Sequence, residues 1–105
     1  NIIYFKAESS NLSNDMIKSI SNFENLVKLE IQDNNIDDES IEILQSLNNL
    51  EILNIHNTKI TSKVIEVLKN FKNLKRAYVW GTSISKNEVD EFNRKDLKLK
   101  LIGGS

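Results

Sequence analysis

Self-similarity at an interval of 24 residues is the strongest constraint on how this chain can fold. The segment "LVKLEIQDNNIDDESIEILQSLNN", beginning at Leu26, aligns without a gap on "LEILNIHNTKITSKVIEVLKNFKN" from Leu50 and on "LKRAYVWGTSISKNEVDEFNRKDL" from Leu74. One step earlier, "IIYFKAESSNLSNDMIKSISNFEN" from Ile2 keeps the same apolar positions. A unit this small cannot bury its own apolar side, so successive units must stack into one continuous core.

Inside each copy the hydrophobic period changes. Alternating apolar residues, Phe5 and Ala7, Leu29 and Ile31, Leu53 and Ile55, Ala77 and Val79, read as a short strand with these side chains inward. An apolar residue follows a polar turn at Leu12, Ile36, Ile60 and Ile84. Helical spacing then takes over, with Ile17, Ile20 and Phe23 recurring as Ile41, Leu44 and Leu47 and as Ile65, Leu68 and Phe71. Between the halves, Ser13, Asp37, Thr61 and Ser85 form a column of helix N-caps, with Glu88 at capping-box spacing from Ser85. The expected fold is α/β, a solenoid with a parallel sheet on the concave side and helices on the convex side. Residues 1–105 form one domain, with copies at about 2–25, 26–49, 50–73 and 74–97 and a closing strand at 98–102 through Leu99 and Leu101. Lys95 replaces the apolar column of Phe23, Leu47 and Phe71, which predicts a polar C-terminal end. The spacing to the closing strand reads as shortened, and "IGGS" reads in part as an appended tail.

Composition excludes several function classes. With 14 basic and 15 acidic residues and a net charge of -1, the chain has no field to attract nucleic acid. The absence of cysteine removes disulfides, thiolate metal sites, cysteine nucleophiles and covalent haem attachment. No apolar run is long enough for a bilayer, so membrane insertion is not expected. "NIIYFKAESS" carries neither the charged start nor the apolar run of a secretory signal.

The stretch "LKRAYVWGT" puts Tyr78 and Trp80 on either side of inward Val79, so both aromatics point to the open sheet face. Three ladders share that face: Tyr4, Lys28, Ile52 and Arg76; Lys6, Glu30, Asn54 and Tyr78; Glu8, Gln32, His56 and Trp80. Ile52, Asn54, His56, Arg76, Tyr78 and Trp80 cluster toward its C-terminal end and are the candidate binding residues, aromatics and arginine being favoured as interface anchors. The competing reading is that Tyr and Trp suit pleated strands and pack on each other across the sheet. Asp33, Asn35 and Asp37 match the first spacings of a calcium loop. Asp38 stands where that loop needs glycine and Leu44 where it needs glutamate, so no metal site is expected. His56, the single histidine, has no carboxylate to orient it, and Glu8 and Glu30 lie on the open face with no apolar pocket. No catalytic residue and no cofactor are expected.

The segments "LVKLEIQDNNI", "LEILNIHNTKIT" and "LKRAYVWGTSIS" resemble the leucine-rich repeat family over nearly the whole chain. More narrowly, the turn threonines of "NTKIT" and "GTSIS", the strand "YVWGT" and the closing "LKLIGG" are similar to repeats that bacteria of planctomycete and Bacteroidetes type attach to c-type cytochrome domains. Asn34 departs from the turn threonine, Ala77 from the usual leucine, and the chain has no CxxCH haem motif. The family resemblance implies a non-catalytic, monomeric module that binds a protein, peptide or polysaccharide on its concave face. The narrower kinship implies instead a structural spacer of a larger c-type cytochrome or redox protein, periplasmic or at the cell surface.

Overall fold

The computed structural model describes residues 3–104. Five strands, β1 (Ile3–Lys6), β2 (Leu26–Glu30), β3 (Ile52–Asn54), β4 (Arg76–Tyr78) and β5 (Lys100–Ile102), alternate with helices α1 (Asn14–Ile20), α2 (Asp38–Ile43), α3 (Val64–Lys69) and α4 (Lys86–Lys95). All neighbouring strands are parallel, in the order β1-β2-β3-β4-β5. Every crossover runs through a helix, as parallel pairing requires. The sheet is not curled, so the face expected to be concave is an open sheet face.

From Tyr4 onward the sheet register follows the sequence interval; Ile3 departs from it, pairing with Leu26 across an irregularity. Tyr4 pairs with Lys28, Lys28 with Ile52, Ile52 with Arg76, and Arg76 with Lys100. The last pairing corrects the shortened closing spacing, because β5 keeps the same interval as the other strands. Leu29, Leu53, Ala77 and Leu101, with Ile31, Ile55 and Val79, turn inward against Ile17, Ile20, Ile41, Leu44, Leu68, Val89 and Phe92 of the helices. One layer of helices thus covers one face of the sheet.

Three caps form where the column of short polar residues places them. The Ser13 side chain accepts from Met16 N, Asp37 and Ser40 form a reciprocal box, and Ser85 and Glu88 form another. The backbone N–H of Ser85, then its hydroxyl, holds the Glu88 carboxyl below its ordinary range. Thr61 is the exception. Its N–H and hydroxyl both donate to Asp38, at 2.7 and 2.6 Å, and α3 starts only at Val64, behind Lys63 with no side-chain cap. The Thr61 hydroxyl oxygen still accepts locally from Lys63 N at 3.3 Å, alongside the contact between copies. With the helix starting later, Val64 is fully buried, while Ile65, the expected core residue, is half-buried.

The ends of the stack also differ from expectation. Phe23 is 49 % exposed, whereas Leu47 and Phe71 in the same column are buried; among the described residues α1 has helical neighbours from the second copy on one side only. With Phe5, Leu12, Met16 and Ile20, Phe23 lines an apolar hollow. At the other end, the Asn93 amide clasps Leu101, donating to its carbonyl at 2.8 Å and accepting from its N–H at 2.9 Å. That edge of β5 is closed by a side chain.

Two columns shape the turns after the strands: one of positive φ that the sequence analysis missed, and the turn Asn/Thr column it noted. Ser9, Asp33, Asn57 and Gly81, each 24 residues apart, all have positive φ, at 51, 58, 51 and 68°. Short polar residues and glycine tolerate this left-handed conformation, which lets the chain leave the strand toward the helix layer. A Cβ on Gly81 would lie 1.9 Å from Asn57 Oδ1, so the Asn57 side chain would have to move aside for any other residue, and the positive φ is the firmer reason for glycine. One residue later, buried Asn34, Thr58 and Thr82 each donate to the carbonyl three residues back. Asn34 does more than either threonine: Oδ1 accepts from Ser10 N and Leu12 N, and Nδ2 reaches Ala7 O and Gln32 O. It binds the first copy to the second, which explains asparagine at this departure from the repeat. Asn34→Ala strands several of these groups in a dry site, and urea denaturation is expected to show a loss of about 1–3 kcal/mol. Asn34→Thr restores the bond to Ile31 alone and is expected to recover only part of it.

Candidate functional site on the open sheet face

Side chains opposite the helix layer form the surface that the strand alternation leaves free. Lys28, Glu30, Ile52, Asn54 and Tyr78 are half-buried on it, and Arg76 and Lys100 are exposed. Past the strand ends the same surface continues through His56 and Trp80. The His56 and Trp80 rings stack at 4.2 Å with 15° between their planes, and Tyr78 meets Trp80 edge-on at 5.6 Å. Both arrangements are favourable for aromatic rings. His56 Nδ1 lies 2.6 Å from Asn54 Oδ1, an acceptor, so Nδ1 is the ring nitrogen that donates in this contact. All six residues singled out from the sequence therefore lie on one surface. Four of them, Asn54, His56, Trp80 and Tyr78, form one connected chain of contacts.

Trp80 remains 39 % exposed despite the stacking. Its backbone is held from behind by the closing residues. Gly103 has φ +112°, and a Cβ there would come within 2.6 Å of Trp80 N and 2.7 Å of Trp80 Cβ. The adjacent Val79 N–H donates to Ile102 O at 2.8 Å. Ile102 and Gly103 thus support the Trp80 backbone, so they belong to the fold, while Ser105 lies outside the described residues. Glycine without a neighbouring strand pattern carries no local signal for such a contact.

Gln32 requires another correction. Expected on the open face between Glu8 and His56, it is buried, donating to Glu8 Oε2 at 3.3 Å while its own Oε1 has no partner among the described residues.

Charge divides the face into two halves. In the N-terminal half Lys6 pairs with Glu8 at 3.0 Å and Lys28 with Glu30 at 3.8 Å, and the Tyr4 hydroxyl donates to Glu30. The hydrogen bond to Glu30 raises the Tyr4 phenol, and that to Glu8 raises the Lys6 ammonium. In the C-terminal half, Arg76 and Lys100 sit opposite each other on β4 and β5, and neither has an ion pair among the described residues.

The acidic residues of "DNNIDDES" are engaged elsewhere: Asp33 Oδ1 accepts from Asn57 Nδ2, Asp37 caps α2 and Asp38 binds Thr61. Among the described residues, no cluster of three or more His, Asp or Glu side chains is placed to hold a metal ion. Among the same residues, no helix is long and apolar enough to cross a membrane.

These features define an α/β protein with a five-stranded parallel sheet, helices on one face and a side-chain surface on the other. No family model matches the sequence, and no curated protein matches it. Among solved structures, the fold is similar to "Leiomodin-1 Actin-Binding Site 2 (ABS2)", with a TM-score of 0.72 and 12 % identity over 97 % of this chain and 69 % of that one. At that identity the likeness concerns the fold alone.

Proposed function

We propose that this chain is a non-catalytic module of leucine-rich repeat type that binds a protein, peptide or polysaccharide through the open sheet face bearing Ile52, Asn54, His56, Arg76, Tyr78 and Trp80. The observation that carries this reading is the exposed Trp80, stacked on His56 and flanked by Tyr78, at a position where the core asks nothing of it. Large, rigid rings with few torsions to immobilise are efficient binding anchors. The left-handed turn column and the buried Asn/Thr column repeat every 24 residues and support the repeat-family reading. The structural neighbour is titled as an actin-binding site, which favours a protein among the three partner classes.

Two experiments test this. Iodide should quench Trp80 fluorescence partially in the free chain, and complete shielding would make the ring part of the core. Replacing Tyr78 and Trp80 by alanine should leave the circular dichroism spectrum intact and stability nearly unchanged. The same pair of changes should cost about 2 kcal/mol or more of binding free energy toward a ligand selected from peptide-display and glycan libraries. Undiminished binding by the double variant would remove this face from the function.

A further inference from the structure

We infer that the partner is an acidic peptide segment carrying apolar side chains, seated on the C-terminal half of the open face; this rests on the proposed use of that face and specifies its ligand. The argument is charge complementarity within one continuous surface. Lys6 and Lys28 are neutralised by Glu8 and Glu30, so the N-terminal half offers no net charge to a ligand. Arg76 and Lys100, directly opposite on adjacent strands, have no such partner among the described residues. Neighbouring strands lie about 4.8 Å apart, which places two cationic heads within reach of carboxylates on one short segment. The arginine fork favours bidentate pairing with a carboxylate.

Along the strand direction the cations are followed by Tyr78 and Ile102, register partners on the same face, and then by exposed Trp80. The surface therefore reads as a cationic row bordering an aromatic and aliphatic strip. A segment with Asp or Glu near Phe, Leu or Trp matches both parts at once. A neutral polysaccharide would use the rings and leave the cations unanswered, and a basic peptide would meet repulsion at Arg76.

The test is selection of a random peptide-display library on the full chain, followed by titration of the selected peptides into isotopically labelled protein. The expected result is enrichment of Asp and Glu together with large apolar residues, with amide shifts at Arg76, Tyr78, Trp80 and Lys100. Combined Arg76→Glu and Lys100→Glu should weaken binding about tenfold or more, and raised salt should weaken it in the unaltered chain. Neutral or basic selected peptides, binding indifferent to the charge reversal, or no selected peptide at all would each overturn the acidic-segment inference. In those cases, shifts that still map to Tyr78 and Trp80, with a peptide or a glycan, leave the open-face reading standing. Shifts confined to other surfaces overturn both.

Discussion

Val79→Asp is expected to abolish the folded state, seen as loss of the native circular dichroism spectrum and of a cooperative unfolding transition. Val79 is fully buried in the column of Ile31 and Ile55, and its N–H is tied to Ile102 O. A carboxylate there would sit among apolar side chains, and no Lys or Arg is buried among the described residues. Burying an unpaired charge costs more than the roughly 5–15 kcal/mol that holds an ordinary domain together, so the chain can only protonate the group or unfold. On the neighbouring positions, the open-face double variant at Tyr78 and Trp80 is expected to leave the fold intact. The contrast between adjacent positions tests the strand alternation itself. A Val79→Asp chain that kept its spectrum and its melting transition would mean that the face pointing inward has been misassigned.

Leu68→Ala is expected to cost about 2–5 kcal/mol in urea denaturation, through lost burial and the cavity left in the helix layer. Leu68 is 1 % exposed and lies in α3, a helix of 6 residues that has no side-chain cap. Isolated helices this short are unstable in water, so α3 depends on the packing of Val64 and Leu68. The loss should therefore extend to local order, with the amides of Val64–Lys69 exchanging faster than those of capped α4. A change of only a few tenths of a kcal/mol would show that the helical column is out of register.

The amino-acid sequence by itself determined the repeat interval, the alternation of strands and helices, the inward residues Leu29, Leu53 and Ala77, and the caps Ser13, Asp37 and Ser85. These are legible because they depend on periods and spacings along one chain segment, which the sequence displays directly. It also placed Ile52, Asn54, His56, Arg76, Tyr78 and Trp80 on a common surface, since strand alternation and a constant offset suffice for that. Only the tertiary structure decided what those residues touch. Thr61 donates its N–H and its hydroxyl proton to Asp38 of the preceding copy, and α3 begins only at Val64. Phe23 is exposed although Leu47 and Phe71 in its column are buried, and Gln32 is buried although its column faces outward. The stacking of His56 on Trp80, the close approach of Gly103 to Trp80 and the placing of Arg76 opposite Lys100 likewise depend on residues 23 or 24 positions apart. Such contacts are set by distances across the sheet, which no local period encodes.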